Sequence, residues 1–154
     1  MKKIGIIGIG NPLRKDDGIG ILLLQKLKKN KEKLPENIEL IDAGTVGMNI
    51  LHIISNYDEV IFIDAINLKK KTGETKFFKY QEIKKQNNMI CLNTHNFDIR
   101  KIIEISKKIN KKPSKIYFFG IQPADIGYGN KITQELNTKI EIIFSKLLKK
   151  IKEF

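Results

Sequence analysis

The amino-acid sequence predicts one α/β domain spanning residues 1–154, a three-layer sandwich in which a mostly parallel twisted sheet of about five strands has helices on both faces. The first observation behind this prediction is that short apolar runs alternate with amphipathic segments of helical period. The second is that parallel neighbouring strands need crossover connections, which such helices supply along a right-handed path. The third is chain length, because a domain of about 150 residues buries about 68 to 70% of its unfolded surface.

The first half of the chain is predicted to contain three buried strands and two helices. The strands cover residues 3–9, residues 37–45 as far as Asp42, and Val60–Ile63, with Asp64 where the third strand stops. The helices cover residues 19–29, before Pro35, and a shorter segment through Met48, Leu51 and Ile54.

The second half is predicted to add two strands and two helices. Residues 75–80 (TKFFKY) predict an extra strand at an antiparallel edge, and residues 115–121 (KIYFFGI) predict the last strand. A helix follows His95, and Asn96 or Asp98 can cap it. Its apolar face comprises Ile99, Ile102, Ile103 and Ile109. The terminal helix presents apolar residues at helical spacing at Leu136, Ile140, Ile143, Leu147 and Ile151.

The net charge of +12 suggests a nucleic-acid partner, because clustered cations displace counterions from phosphates. All 29 basic residues except Arg14 and Arg100 are lysine, however, and arginine is the residue that forks onto guanine or phosphate. The lysines are also spread along the chain instead of forming one basic stripe. We therefore predict solvated helix faces and loops, and no nucleic-acid partner.

Cysteine usage and apolar runs predict the compartment. Cys91 is the one cysteine, which excludes an internal disulfide and a Cys-x-x-Cys zinc site, and its apolar neighbours favour a buried side chain. The N-terminal apolar run is short and broken by glycines, and no later run reaches the about 20 residues that cross a bilayer. These features predict a soluble, cytoplasmic protein with no membrane partner.

Acidic residues follow three of the predicted strands. Asp16 and Asp17 come after the first strand, Asp42 closes the second and Asp64 closes the third. The ligand crevice of such a sheet lies at the carboxyl ends of its strands, so we expect four carboxylates to face it. Their mutual repulsion would raise their pKa values or require a cation, which favours acid-base chemistry or metal binding. The structural alternative for any single aspartate is a turn or a helix cap.

His95 is predicted to lie in a loop, between an apolar segment and a helix start. An imidazole with two carboxylates can bind zinc or nickel while leaving coordination positions open. A lone histidine is more often structural, and we interpret His52, on the short second helix, as a surface or structural residue. The glycine-rich segment 8–20 does not fit a dinucleotide loop, because Pro12 removes an amide donor and two aspartates would repel pyrophosphate.

Five segments resemble, in their order and spacing, those of the maturation endopeptidases of nickel-iron hydrogenases. The segments are GIGNPLRKDDGIG, IDAGTVGMNIL, FIDAI, NTHNFDI and GIQPADIGYGNKIT. The resemblance covers nearly the whole chain. Two positions depart from the family pattern, because residue 17 is aspartate where some members have glutamate, and Ala43 replaces a frequent glycine.

The resemblance implies an aspartyl endopeptidase that removes a C-terminal extension from its partner, a hydrogenase large-subunit precursor. Asp17, Asp64 and His95 take the positions of the family's metal-contacting trio. The nickel they engage is carried by the substrate and is not a permanent cofactor. Asp16 and Asp42 match further acidic positions, which implies catalytic roles in orienting water or substrate. We expect a monomer. The alternative from the same ligand set is a non-proteolytic nickel-binding or nickel-delivery module.

Overall fold

The computed structural model describes residues 1–44, 49–85, 99–110 and 113–154. Its strands are β1 Ile4–Ile9, β2 Ile38–Gly44, β3 Glu59–Ala65, β4 Thr75–Lys79 and β5 Lys115–Ile121. Its α-helices are α1 Ile19–Lys29, α2 Asn49–Ile54, α3 Tyr80–Lys85, α4 Ile99–Lys108, α5 Gln134–Asn137 and α6 Ile140–Ile151. Two 3₁₀ turns, Lys15–Gly18 and Lys31–Lys33, flank α1.

The strands form one sheet in the order β2-β1-β3-β5-β4. The pairs β1–β2, β1–β3 and β3–β5 are parallel, and β4 pairs with β5 in the antiparallel sense. The mostly parallel five-stranded sheet is therefore confirmed, and so is the antiparallel edge strand. Because β2 lies on one side of β1 and β3 on the other, the strand order reverses at β1, where sheets of this kind bind ligands at their carboxyl edge.

Helices cover both faces of the sheet, which confirms the three-layer sandwich. One core contains the buried faces of α1, α5 and α6 with alternate strand residues such as Ile4 and Ile6. The other core contains the buried faces of α2, α3 and α4 with the intervening strand residues such as Ile7 and Ile9. This division follows from the two-residue period of a strand, which sends successive side chains to opposite faces.

Three predicted element boundaries are wrong. β2 continues to Gly44, so Asp42 lies inside the strand and does not close it. β3 continues to Ala65, so Asp64 lies inside the strand as the register partner of Gly120 on β5. α4 ends at Lys108, and Ile109 beyond it is 49% exposed instead of lying in the core. The helix stops there because Asn110 adopts a φ of +50°, which an α-helix cannot continue. An apolar period alone does not show where a helix ends.

The structure differs from the prediction in two further helical regions. The terminal apolar series spans two helices, α5 and α6, although all five of its predicted core residues are buried. The six-residue helix α3 was not predicted, because fewer than two turns give too little period to detect. Met48, in residues 45–48, and Cys91, Asn96 and Asp98, in residues 86–98, lie outside the described residues. Among the helices that the structure describes, none has the length and apolar character to cross a bilayer.

Helix α1 makes its closest approach to the sheet at Gly20. A Cβ added at this position would lie 2.3 Å from the carbonyl oxygen of Ile9 and equally close to that of Ile63. Contacts under 3 Å with backbone atoms cannot be relieved by moving a side chain. The glycine therefore lets the start of α1 rest directly on the carboxyl ends of β1 and β3.

We expect Gly20→Ala to lower the free energy of unfolding by about 3 kcal/mol or more, because the added methyl group forces the helix off both strands. Urea unfolding of the variant and the parent chain measures this difference. Helix propensity alone predicts the opposite sign, a gain of about 1 kcal/mol. An alanine variant as stable as the parent, or more stable, would contradict the close approach.

The hydroxyl of Tyr57 is expected to ionise far above the usual range. Tyr57 is buried, and its hydroxyl donates a 2.7 Å hydrogen bond to Glu39 Oε2. Burial first, and then this hydrogen bond, raise the pKa of Tyr57 to about 12 from 10.0. Because the folded pKa is the higher one, the stabilisation is complete below pH 10 and is lost as pH rises towards 12.

Tyrosinate absorbance followed through an alkaline titration tests this expectation. The parent chain should show a transition near pH 12 that disappears in Tyr57→Phe. An unchanged titration curve in the variant would show that the Tyr57 hydroxyl is not held in this way.

Candidate active site

The candidate site lies at the carboxyl edge of β1 and β3. After Ile9 the chain turns back through Gly10 and Asn11 into the 3₁₀ turn Lys15–Gly18, which contacts β3. The turn is tight, because a Cβ added at Gly10 would lie 2.0 Å from the Asp17 carbonyl oxygen. Gly10 also has a φ of +145°, which side-chain-bearing residues rarely adopt. Gly10 therefore allows the chain to fold back so that the 3₁₀ turn lies over the strand ends.

Asp17 is fully buried within this turn. Its Oδ2 accepts a 3.0 Å hydrogen bond from the Asn11 amide. The Asn11 side chain in turn accepts a 3.0 Å bond from the Leu13 amide, which shapes the chain between β1 and the turn. The local Asn-Pro sequence thus forms a frame that holds the Asp17 carboxylate at the end of β1.

Asp64 lies at the corresponding end of β3 and is 1% exposed. Alternation along the strand places it on the same face as Val60 and Phe62, the face covered by α2 and α4. A carboxylate is costly to bury among such neighbours, and a residue of this kind at a strand end is typical of a functional site.

The contact at Gly20 brings Asp17 and Asp64 to one edge. Gly20 touches the Ile63 carbonyl, Asp17 precedes Gly20 by three residues, and Asp64 follows Ile63 directly. Two of the three predicted metal-contacting residues therefore lie at the same edge of the sheet. The third, His95, lies outside the described residues. His52 lies exposed on α2, as predicted.

Asp16, the neighbour of Asp17, points elsewhere. It is fully buried, and its Oδ2 accepts hydrogen bonds from the Ala124 amide at 2.8 Å, the Asp125 amide at 3.2 Å and the Thr133 hydroxyl at 2.8 Å. Its Oδ1 accepts a fourth bond, from the Thr133 amide, at 2.8 Å. These contacts make Asp16 the anchor of the segment between β5 and α5. Its predicted role in orienting water or substrate stays a prediction that none of these contacts supports.

Asp42 lies two residues before the end of β2, at an exposed position. Its Oδ1 accepts a 3.0 Å hydrogen bond from the Gly44 amide, a turn of the kind that aspartate often makes with the residue two positions on. Its neighbours Ile41 and Ala43 pack on the α2–α4 face, so alternation directs Asp42 to the opposite face from Asp64. The predicted helper role of Asp42 therefore stays a prediction without support from its contacts.

The expectation that four carboxylates face one crevice therefore stays a prediction, which the contacts of Asp16 and Asp42 do not support. Asp17 and Asp64 are buried at the carboxyl ends of the neighbouring strands β1 and β3, while Asp16 anchors a loop and Asp42 closes a turn. In the parts of the chain that the structure describes, no group of three or more histidine, cysteine, aspartate or glutamate residues is arranged to hold a metal ion. This statement does not extend to His95.

Comparison with known proteins identifies the family. A family model described as hydrogenase maturation protease matches residues 21–150. The chain is 33% identical to a putative hydrogenase maturation protease of Methanocaldococcus jannaschii, an alignment covering 92% of this chain and 89% of the relative. The chain belongs to the hydrogenase maturation protease family. It is therefore a member of a family of peptide-bond hydrolases.

Further relatives agree with this assignment. The protease is 25% identical to the hydrogenase 2 maturation protease of Escherichia coli K12, over 98% of this chain and 92% of the relative. Its fold matches the solved hydrogenase maturating endopeptidase HybD from E. coli with a TM-score of 0.81 and 24% identity, over 98% and 93% of the two chains. It also matches a maturation protease HycI from Thermococcus kodakarensis KOD1 with a TM-score of 0.73 and 23% identity, over 98% and 93%.

The contacts that hold the segment between β5 and α5 are the feature of the protease that residue patterns missed. Besides Asp16, it is bound by Arg14, whose Nε donates to the Ile126 carbonyl at 3.1 Å, and by the Lys15 amide, which donates to the Gly129 carbonyl at 2.9 Å. The Lys15 ammonium also pairs with Asp125. This hydrogen bond, and then that of the Gly127 amide, lower the pKa of Asp125. The polar, glycine-rich composition predicts a loop here but not the residues that hold it.

We expect Asp16→Asn to lower the free energy of unfolding of the protease by about 2 to 4 kcal/mol, because an amide cannot satisfy four converging donors. Denaturant unfolding measures the loss, and Asp42→Asn is the matched control, with an expected change within about 0.5 kcal/mol. Equal losses in the two variants would contradict the anchoring role of Asp16.

Proposed function

We propose that this protease removes a C-terminal extension from the nickel-loaded large-subunit precursor of a nickel-iron hydrogenase, and that Asp17, Asp64 and His95 engage the nickel carried by that substrate. The observation that carries the proposal is the burial of Asp17 and Asp64 at one carboxyl edge of the sheet. The family assignment supplies the reaction class. The ligand roles rest on the chemistry of the residues.

The position of α4 supports the inclusion of His95. The helix precedes β5 and is followed by a short connection to the amino end of that strand, so its first residue, Ile99, is directed towards the carboxyl edge. Ile99 is buried in the same core as Phe62. His95 precedes Ile99 by four residues, and four residues of chain span at most about 14 Å.

Carboxylate oxygens and an imidazole nitrogen suit a divalent nickel ion. Because both carboxylates, Asp17 and Asp64, are buried, an incoming cation is bound where water competes poorly for it. A precursor without nickel presents no charge to these groups. The nickel therefore supplies the differential affinity that distinguishes a loaded precursor from an immature one.

In the proposed reaction, water adds to the carbonyl carbon of one peptide bond, the carbon–nitrogen bond breaks and the new amine takes a proton. Nickel brought by the substrate supplies Lewis-acid chemistry when it is bound. Asp17 and Asp64 bind and orient the loaded precursor at the carboxyl edge. By holding the nickel centre they position the scissile bond beside it, and such positioning accelerates a reaction.

The proposal predicts that the purified protease cleaves nickel-loaded precursor and cleaves nickel-free precursor about 5- to 150-fold more slowly. Asp17→Asn, Asp64→Asn and His95→Ala should each lower kcat/KM on the loaded precursor by about 100-fold or more, because each removes a group that binds the nickel centre. Gel separation of precursor and product over time measures these rates.

Asp58→Asn is the matched control. Asp58 makes the same carboxylate-to-amide change at the opposite, amino edge of the sheet, where its Oδ2 accepts from the Lys3 amide. We expect it to cleave like the parent chain. Equal cleavage of loaded and nickel-free precursor would refute nickel recognition. Precursor that stays full-length while nickel moves between the two proteins would favour a nickel-delivery module instead.

A further inference from the structure

A groove of about 450 Å³ lies beside the candidate site, between α1 and the segment that leads from β5 to α5. Pro12 and Gly18 form part of its wall, and Gly18 follows Asp17 directly. The groove is therefore continuous with the chain segment that carries the site. Its volume falls within the range of about 300 to 1,000 Å³ that ligand sites occupy in proteins.

The lining of the groove combines three kinds of group. Ile21, Leu22 and Ile132 provide apolar surface, and Gln25 and Asn130 provide side-chain amides. Each side-chain amide offers both a donor and an acceptor, as the backbone of an extended peptide does. The chemistry of the lining therefore matches a peptide segment better than a purely apolar ligand.

The charge of the lining is positive. Lys15 and Lys131 belong to it, and none of the described residues that form it is acidic. Lys15 pairs with Asp125, so Lys131, which is exposed, is the cation that we assign to a ligand. A carboxylate on the bound segment would complement it.

The same two chain segments expose large apolar side chains. After Met1, the most exposed large hydrophobic residues among those described are Tyr128 and Leu13, at 92% and 67%. A 3.0 Å bond from the Gly129 amide to the Leu13 carbonyl holds the two segments together. Tyrosine is enriched among the residues that dominate protein interfaces, so Tyr128 beside Leu13 offers apolar surface that a bound segment can cover.

We propose that this groove binds the C-terminal extension of the precursor and that Lys131 pairs with the extension's terminal carboxylate, the one carboxylate that an extension of any sequence carries. This inference rests on the proposed function, because it takes the substrate from there. It adds a binding subsite separate from the aspartates, one that holds the segment to be released while the nickel centre lies at Asp17 and Asp64.

The test measures binding of a fluorescent synthetic peptide with the sequence of the extension, by anisotropy, to the full chain and to two variants. Lys131→Glu should weaken binding by about fivefold or more, because it replaces an attraction by a repulsion. Gln25→Trp should weaken it by a similar factor, because the larger ring fills the groove. Lys101→Glu, an equal charge change on α4 across the sheet, should bind like the parent.

Peptide with an amidated C-terminus separates the terminal carboxylate from other contacts. Amidation should weaken binding to the parent by about fivefold and should have little further effect on Lys131→Glu, because the partner is already gone. Equal affinity of the acid and amide peptides, or of the parent and both groove variants, would overturn the inference. Thermal unfolding of each variant checks that the chain remains folded.

Cleavage kinetics distinguish failure of this inference from failure of the proposed function. On loaded precursor, Lys131→Glu should raise KM by about fivefold and leave kcat within about twofold, because the groove binds substrate without touching the scissile bond. A parent chain that cleaves, with variants of unchanged KM, would overturn the groove and leave the protease function in place. A parent chain that does not cleave but binds the peptide through Lys131 would do the reverse.

Discussion

The backbone contact between α1 and the sheet at Gly20 is the constraint on which the site depends. Two carbonyl oxygens, one at the end of β1 and one at the end of β3, lie where any larger side chain would need space. Since the helix backbone rests there, the 3₁₀ turn before it contacts β3. Asp17 at the end of that turn is thereby brought to the edge that carries Asp64. The position of the site is therefore a consequence of packing, set before any ligand is involved.

The second constraint is the attachment of the β5–α5 segment through Asp16. Four hydrogen bonds to one buried carboxylate hold this segment against the turn that carries Asp17. The segment held in this way forms one wall of the groove that Lys131 lines. A buried, fully bonded carboxylate and a buried site carboxylate are thus adjacent in sequence and serve different purposes. Asp16 fixes the shape of the surroundings, and Asp17 is the residue that we assign to the site.

The sequence predicts the fold well because apolar residues recur every two residues in strands and every 3.6 residues in helices, and because glycine, proline and polar residues mark the ends of these elements. A short run rich in aromatic and β-branched residues, such as residues 115–121, predicts a covered strand, and the apolar face of α1 predicts which side of that helix meets the sheet. What the sequence could not give is the direction of individual carboxylates. Asp16 and Asp17 look alike as residues, but successive positions in a 3₁₀ turn point about 120° apart. Asp42 and Asp64 both lie near the carboxyl ends of their strands, yet alternation places them on opposite faces.

The most direct test of the central claim, that Asp17 and Asp64 act on one nickel centre, is a double-mutant cycle. It requires kcat/KM on nickel-loaded precursor for the parent chain, Asp17→Asn, Asp64→Asn and the variant carrying both changes. If both carboxylates hold the same centre, the kcat/KM of the double variant should be little lower than that of the less active single variant. The two free-energy losses are then strongly non-additive. Losses that add fully would show that the two residues act independently and would contradict the account.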